Sequence, residues 1–173
     1  MRLFLAINFP EGVKNALSSG MTALARRGVR ANWSRRENLH LTLEFLGEVR
    51  DTAPVVEAME RVKAHKFSIC FTDTGRFRRD GGDIFWLGVA RTEPLMLLQA
   101  QLHEALRREG LRLERRPYRP HLTLARRLRE RGEIGFPAPL PGAIPVTGFS
   151  LMQSDRVEGR LRYTQLYWKE LED

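Results

Sequence analysis

Cysteine is almost absent from this sequence, and its scarcity narrows the classes of protein to which the chain can belong. The 173 residues include a single cysteine, Cys70. The chain can therefore form neither an internal disulfide nor a cysteine-rich zinc site. Such cysteine usage is typical of a reducing compartment, and we expect a cytoplasmic location.

Long apolar runs are also lacking. The longest of them, such as residues 95–98, are far too short to cross a bilayer. The segment before Pro10 is short and carries no small-residue cleavage pattern, so we interpret it as a strand and not as a signal peptide. We expect no membrane partner. A composition of 42% apolar and 29% charged residues predicts one globular domain over residues 1–173.

Lysine is scarce, whereas arginine is abundant. The chain has 29 basic residues and a formal net charge of +8, and only four of the basic residues are lysine. A GC-rich genome would enrich arginine everywhere, but ten arginines and only three glutamates fall between Arg107 and Arg131. Arginine binds phosphate with a planar, bidentate fork. The cluster therefore favours a surface that binds nucleic acid, although codon bias still explains the composition equally well.

The order of predicted elements indicates an α+β protein with antiparallel pairing, because strand pairs alternate irregularly with helices. Turn-forming glycines, such as those at Gly81-Gly82 and Glu158-Gly159, join successive strands. Strands are predicted near residues 2–9, 38–46, 67–76, 83–90, 119–126, 146–154 and 161–170, helices near 10–28, 52–65 and 92–109, and a loop over 127–144.

A repeated tetrapeptide is the most informative motif. Residues 40–43 and 121–124 both read His-Leu-Thr-Leu, in a chain with only four histidines. In a strand, the histidine and threonine share one face and the leucines share the other. Two such strands facing one cleft would place two imidazoles and two hydroxyls around one substrate. One imidazole can take a proton from an attacking oxygen while the other protonates a leaving oxygen, and the hydroxyls can bind phosphate oxygens.

Two less specific interpretations apply to histidines in general. A histidine in an apolar strand is often structural, which is our expectation for His65 and His103. A zinc site would need three or four ligands in a recognisable spacing, and neither H-E-x-x-H nor C-x-x-C occurs in the sequence. We therefore predict chemistry that needs no metal and no cofactor.

The two motif blocks resemble those of the two-histidine phosphoesterases. The match is nearest to the bacterial and archaeal RNA 2′,3′-cyclic phosphodiesterases, also called 2′-5′ RNA ligases. It extends over the whole chain in order. The segments that carry it are residues 2–7 (RLFLAI), Trp33, residues 37–48 (ENLHLTLEFLGE) and residues 120–126 (PHLTLAR). Glu44 departs from the pattern, since relatives often carry lysine or another long polar residue there, and we expect it at the border of the leucine face or at the rim of the cleft.

The resemblance implies a bilobal fold, with two antiparallel sheets and outer helices related by a pseudo-twofold axis around the cleft. It implies hydrolysis of 2′,3′-cyclic phosphates to 2′-phosphates, with a reverse 2′-5′ joining of RNA ends. The implied substrates are RNA with cyclic phosphate ends, tRNA halves among the candidates, or cyclic nucleotides, and we expect a monomer. The implied roles are proton donor for His40, proton acceptor for His121, phosphate-oxygen ligands for Thr42 and Thr123, a cleft contact for Arg126, and base stacking for Phe4, for which a place in the core is the alternative.

Two competing functions use the same residues differently. An RNA 3′ exonuclease of the same superfamily would create cyclic phosphate ends instead of opening them. A basic RNA-binding module would perform no chemistry with its histidines, and its binding would survive their replacement.

Overall fold

The structure is a computed structural model that describes residues 1–137 and 139–173. Ala138, inside the predicted loop over 127–144, lies outside the described residues. The described part of the chain forms ten strands and three α-helices, together with one short 3-10 helix at Arg36–Asn38. The strands are β1 Arg2–Asn8, β2 Asn32–Trp33, β3 His40–Glu48, β4 Phe67–Ile69, β5 Phe71–Phe77, β6 Asp83–Val89, β7 His121–Leu128, β8 Ile144–Val146, β9 Gly148–Val157 and β10 Arg160–Glu170, and the helices are α1 Glu11–Arg26, α2 Ala53–Arg61 and α3 Glu93–Arg108.

The strands form two four-stranded sheets and one two-stranded ribbon. The first sheet has the order β10-β9-β1-β3 and the second the order β2-β7-β6-β5, while β4 pairs with β8. Every ladder in them is antiparallel. This arrangement confirms the predicted α+β class. It also places one copy of the repeated tetrapeptide at the start of β3 and the other at the start of β7.

Both sheets contribute to one large apolar core. The leucines of the two tetrapeptides belong to it and are at most 2% exposed (Leu41, Leu43, Leu122 and Leu124). This burial anchors both motif strands and leaves their histidines and threonines on the opposite face. No helix of the described residues is long and apolar enough to span a membrane.

Several predicted boundaries need correction. The predicted helix over 52–65 ends at Arg61, because Val62 already has extended backbone angles. The predicted strand over 67–76 is interrupted at Cys70, and the strand predicted over 146–154 is preceded by the separate short strand β8. The hairpin at Glu158-Gly159 is confirmed, with φ values of 52° and 75° that suit a tight turn between twisted strands.

Strand β2 was not predicted. It is only two residues long, Asn32–Trp33, and it pairs with β7 at Arg126 and Ala125. The chain that leads into β3 of the first sheet therefore belongs to the second sheet. This crossover brings the two motif strands close to each other.

Candidate active site

Each motif histidine is the first residue of its strand and is partly buried. His40 lies opposite Asn8 of β1, and His121 lies opposite Gly88 of β6. Strands β3 and β7 are also in contact with each other across the two sheets. The two imidazoles therefore lie on one surface, which we call the His–Thr cleft and define by His40, Thr42, His121 and Thr123.

Both imidazoles are fixed in the same tautomer by their own backbone. Nδ1 of His40 donates to the carbonyl of Asn38 at 2.8 Å, and Nδ1 of His121 donates to the carbonyl of Arg119 at 2.7 Å. In the neutral ring this leaves Nε2 without a proton. Nε2 of His40 accepts a hydrogen bond from the Thr42 hydroxyl at 2.8 Å. Each histidine can therefore accept or carry a reacting proton on Nε2.

Aromatic side chains hold both imidazoles from the side. Tyr163 contacts His40 edge-on, with ring centroids 5.2 Å apart at 85°, and Phe77 contacts His121 edge-on at 4.9 Å and 87°. A second ring lies against each histidine at a smaller angle, namely Phe4 at 4.8 Å from His40 and Trp86 at 6.1 Å from His121. The two halves of the cleft thus repeat one arrangement, as the predicted pseudo-twofold relation requires.

A bulge at the same place in each motif strand determines which later residue returns to the cleft. Ala6 lies opposite Thr42 but Leu5 lies opposite Glu44, so one extra residue enters β3 after the threonine. In β7, Trp86 lies opposite Thr123 but Phe85 lies opposite Ala125. An inserted residue shifts the alternation of side chains by one position. The fifth residue after each histidine therefore lies on the cleft face.

The two side chains that the bulges place on the cleft face differ in chemical character. In the first sheet this residue is Phe45, which is 58% exposed. In the second sheet it is Arg126, which is exposed and lies close enough to both imidazoles for its charge to lower the pKa of each. One half of the cleft therefore offers an exposed aromatic ring, and the other half offers a cation.

Hydroxyl groups connect each motif strand to the segment that leads into the other. The Tyr118 hydroxyl, just before β7, donates to the carbonyl of Thr42 at 2.7 Å. The Ser34 hydroxyl, which directly follows β2 in the segment that leads into β3, donates to the carbonyl of Thr123 at 2.9 Å. These reciprocal bonds fix the spacing of the two His–Thr pairs.

Burial lowers the pKa of both imidazoles. Desolvation lowers the pKa of His40 to about 4, and the hydrogen bond to Asn38 offsets only part of that effect. The positive charges of His121, Lys14 and Arg126 act in the same direction as burial. The pKa of His121 is also lowered, first by burial and then by the neighbouring arginines. The unliganded cleft is therefore suited to receive an anion, which would raise both pKa values.

Five of the six residues predicted for the site lie on the cleft surface: the four that define the cleft, and Arg126. Phe4 is 3% exposed and is covered by His40 and Tyr163, an environment that favours the core alternative over base stacking. It belongs to a small apolar cluster with Ala6 and Met152 on the cleft side of the first sheet. Phe4 thus supports the His40 imidazole from below.

Phe45 was not predicted for the cleft face, nor were the aromatic residues Tyr163, Phe77 and Trp86 that contact the two imidazoles. Regular alternation would place Phe45 with the leucines, and only the bulge after Thr42 reverses its direction. The comparison of residues 40–46 with residues 121–127 carries a signal that could have indicated it. Phe45 occupies the position in the first motif that Arg126 occupies in the second.

Glu44 was expected either at the border of the leucine face or at the rim of the cleft. The structure confirms the first position and excludes the second. The bulge turns Glu44 toward the core, where it is 8% exposed and accepts hydrogen bonds from His103 Nδ1 and Gln99 Nε2, each at 3.0 Å. Burial raises the pKa of the Glu44 carboxyl.

His65 lies outside both motifs, and its Nδ1 is hydrogen-bonded to the Asp173 carbonyl. Over residues 1–137 and 139–173, no three His, Cys, Asp or Glu side chains are grouped as metal ligands would be.

Comparisons with known proteins agree with this geometry. The family model of the 2′-5′ RNA ligase superfamily matches residues 15–158. An RNA 2′,3′-cyclic phosphodiesterase of Thermotoga maritima is 39% identical over 73% of this chain and 70% of its own length. The RNA 2′,3′-cyclic phosphodiesterase of Escherichia coli K12 is 34% identical over 95% of this chain and 93% of its own.

A solved structure shares the fold over nearly the whole chain. The crystal structure of E. coli LigT in its apo form superposes with a TM-score of 0.80 and 31% sequence identity, covering 99% of this chain and 98% of that one. Together with the paired motifs and the repeated geometry around them, these matches show that the chain belongs to the 2′-5′ RNA ligase superfamily.

Proposed function

We propose that this protein is an RNA 2′,3′-cyclic phosphodiesterase that opens the cyclic phosphate to a 2′-phosphate without a metal ion and that can join RNA ends by the reverse reaction. The observation that carries the proposal is the pair of His–Thr motifs, whose imidazoles are fixed through Nδ1 and keep Nε2 for chemistry. The two lobes act as one catalytic domain, because each contributes half of the cleft.

The reaction needs one base and one acid on opposite sides of the phosphorus. Nε2 of His121 takes a proton from water as its oxygen bonds to phosphorus. The bond from phosphorus to the ribose 3′ oxygen breaks, and protonated Nε2 of His40 gives its proton to that oxygen. The product carries a 2′-phosphate and a free 3′ hydroxyl, and the imidazoles exchange protonation states. Resemblance to the family supports this order of roles.

The resting pKa values impose a condition on this order. Burial lowers the pKa of His40 to about 4, so its imidazole is neutral near pH 7 in the free protein. His40 can act as the donor only if the bound phosphate raises its pKa. An anion beside a buried imidazole does so, because it favours the charged form.

The remaining groups of the cleft bind the phosphate and the base. The hydroxyls of Thr42 and Thr123 donate to non-bridging oxygens, where negative charge accumulates in the transition state. The Thr42 hydroxyl must leave Nε2 of His40 to do so. Arg126 adds a cation next to both imidazoles, and the exposed ring of Phe45 stacks on the nucleobase.

Relatives support the same substrate class. Eight bacterial and archaeal proteins, 28–39% identical to this chain, bear the name RNA 2′,3′-cyclic phosphodiesterase. E. coli LigT has been solved with 3′-AMP and with phosphate. We infer that RNA with cyclic phosphate ends is the substrate and that tRNA halves are one source of such ends. The monomeric state and the cytoplasmic location stay predictions.

The two alternatives make different predictions for the same assays. A 3′ exonuclease would shorten RNA and leave cyclic ends, so its products would be the substrates of the proposed enzyme. A binding module would bind RNA equally well without either histidine. Incubation of RNA that ends in a 2′,3′-cyclic phosphate separates all three functions, because the expected product keeps its length and loses only its cyclic end.

We predict that turnover of a 2′,3′-cyclic mononucleotide continues in EDTA and is lost in His40→Ala and His121→Ala. Each substitution removes a proton-transfer group, and we expect kcat to fall by ~10²–10⁴-fold. His103→Ala is the matched control, because His103 bonds to Glu44 outside the cleft. Activity that EDTA abolishes and that zinc or manganese restores would contradict the mechanism.

The pH dependence follows from the lowered histidine pKa values. Catalysis needs one protonated and one neutral imidazole, so kcat/KM depends on pH along a bell-shaped curve. Both pKa values lie below the ordinary 6.5, so the free protein loses its required proton as the pH rises toward 6.5. We expect the optimum of kcat/KM below pH 6.5, and the optimum of kcat at higher pH because bound phosphate raises both values. A kcat/KM optimum above pH 7 would show that the cleft does not depress these pKa values.

The product isomer tests the order of the two roles. If His40 protonates the 3′ oxygen, adenosine 2′,3′-cyclic phosphate yields 2′-AMP. If the roles are exchanged, the other bond breaks and 3′-AMP forms. Chromatography against both authentic nucleotides measures the ratio. A product that is mainly 3′-AMP would reverse the assignment of acid and base.

Replacement of Phe45 tests the aromatic half of the cleft. We expect Phe45→Ala to raise KM for a 2′,3′-cyclic mononucleotide by about 10-fold, since stacking on a base contributes ~1–3 kcal/mol. Phe45→Trp should keep the KM near that of the wild type. Leu97→Ala is the control, because Leu97 is an apolar side chain of α3 with a similar exposed fraction. A KM that is unchanged in Phe45→Ala would show that Phe45 does not bind the nucleobase.

A further inference from the structure

A basic surface groove lies at the far end of β7 from His121. Its volume is about 570 Å³, and it is lined by Arg30, Ala31, Asn32, Arg127, Arg129 and Glu130. Three of its six lining residues are arginines, and one is acidic. We call it the β7 groove. None of its residues belongs to the His–Thr cleft.

The β7 groove continues the cleft face of the second sheet. Asn32 is the ladder partner of Arg126, so the two residues share one face of that sheet. Arg126 is the cleft residue whose charge acts on both imidazoles. Arg127 lies four residues beyond Thr123, which is at most about 13 Å along the strand. A ligand bound at the histidines can therefore extend past Arg126 into the β7 groove.

Three of the ten arginines in residues 107–131 form ion pairs, and the other seven make up a second set that forms none within residues 1–137 and 139–173. Arg107, Arg108 and Arg116 form surface ion pairs with Glu104 or Glu114 at 2.9–3.2 Å. Arg127 and Arg129, like Arg30 from the other side of the groove, form no ion pair within residues 1–137 and 139–173. The second set keeps its positive charge available to a bound anion.

The backbone of Arg127 is held in an unusual conformation. Its φ is 56°, in the left-handed region that favours glycine. Gly82 packs directly against it, and a Cβ at Gly82 would lie 2.6 Å from the Arg127 Cα. The tight contact with the Asp80–Gly82 turn thus helps to maintain a conformation that a free chain would avoid. It ends the regular alternation of β7, so that Arg126 and Arg127 are both exposed.

We propose that the β7 groove binds the phosphodiester backbone of the RNA strand on the 5′ side of the reacting nucleotide. This inference rests on the proposed function. A 2′,3′-cyclic phosphate is bonded to both the 2′ and the 3′ oxygen of the terminal ribose, so the RNA can continue only from its 5′ oxygen. Successive phosphates of that strand are the anions for which unpaired arginines at the exit of the cleft are suited. The groove accordingly favours RNA ends over free cyclic nucleotides.

The test compares two substrates in two double variants. The substrates are a 2′,3′-cyclic mononucleotide and a single-stranded oligoribonucleotide that ends in a 2′,3′-cyclic phosphate. The variants are Arg127→Gln/Arg129→Gln, in the groove, and Arg107→Gln/Arg108→Gln, which removes the same charge from the ion-paired set. We expect the groove variant to lower kcat/KM for the oligoribonucleotide by at least 10-fold and to change that for the mononucleotide less than twofold. The control should change neither.

Salt dependence adds a second measurement. The log–log slope of oligoribonucleotide affinity against salt should become shallower by about 1.4 in the groove variant, at roughly 0.7 for each lost phosphate contact. Arg30→Gln should act in the same direction, and Glu130→Gln should strengthen binding because it removes the one carboxylate of the groove. Equal effects of the groove variant and the control on the oligoribonucleotide would overturn the inference, as would an equal loss on both substrates.

A direct binding assay separates this inference from the proposed function. The probe is a fluorescent oligoribonucleotide with a terminal 2′-phosphate, whose binding needs no turnover. If the wild type hydrolyses neither substrate, the proposed function fails, while weaker binding of this probe by the groove variant than by the control still supports the groove. Equal binding by both variants contradicts it.

Discussion

Two reciprocal hydrogen bonds between the motif strands are the constraint on which the cleft depends. Tyr118 and Ser34 each belong to the segment leading into one motif strand, and each donates to the threonine carbonyl of the other. Each bond contributes only about 0.5–1.5 kcal/mol. Their importance lies in position, because they set the spacing between two imidazoles that belong to different sheets. Strand β2 reinforces them by joining the approach to His40 to the sheet that holds His121.

The same packing that positions the imidazoles also lowers their pKa values. Each ring lies against two aromatic side chains and donates Nδ1–H to a carbonyl two residues earlier, so that only Nε2 can change its protonation. Desolvation favours the neutral rings, and an anionic phosphate reverses this preference. Substrate binding and charging of the acid are thereby linked. Burial of the site therefore explains both the low pKa values of the imidazoles in the free protein and their rise when phosphate binds.

Much of the site could be predicted from the sequence because strand alternation is a local property. The His-x-Thr spacing placed both functional side chains on one face, and the leucines between and after them are buried as that pattern requires. The bulges could not be predicted in this way, since an extra residue in a ladder depends on pairing with β1 and β6. They explain why Phe45 faces the cleft without having been predicted there and why Glu44 faces the core instead of the rim. Strand β2 was missed for a related reason, since two residues show no periodicity.

The central claim is that both His–Thr pairs act on one phosphorus atom. A crystal structure of the protein with a nucleoside 2′-phosphate tests it most directly. We predict one phosphate in the His–Thr cleft, with Nε2 of His40 and Nε2 of His121 each about 2.6–3.2 Å from a different phosphate oxygen and on opposite sides of the phosphorus. A phosphate bound by only one of the two motifs, or by both imidazoles from the same side, would contradict it.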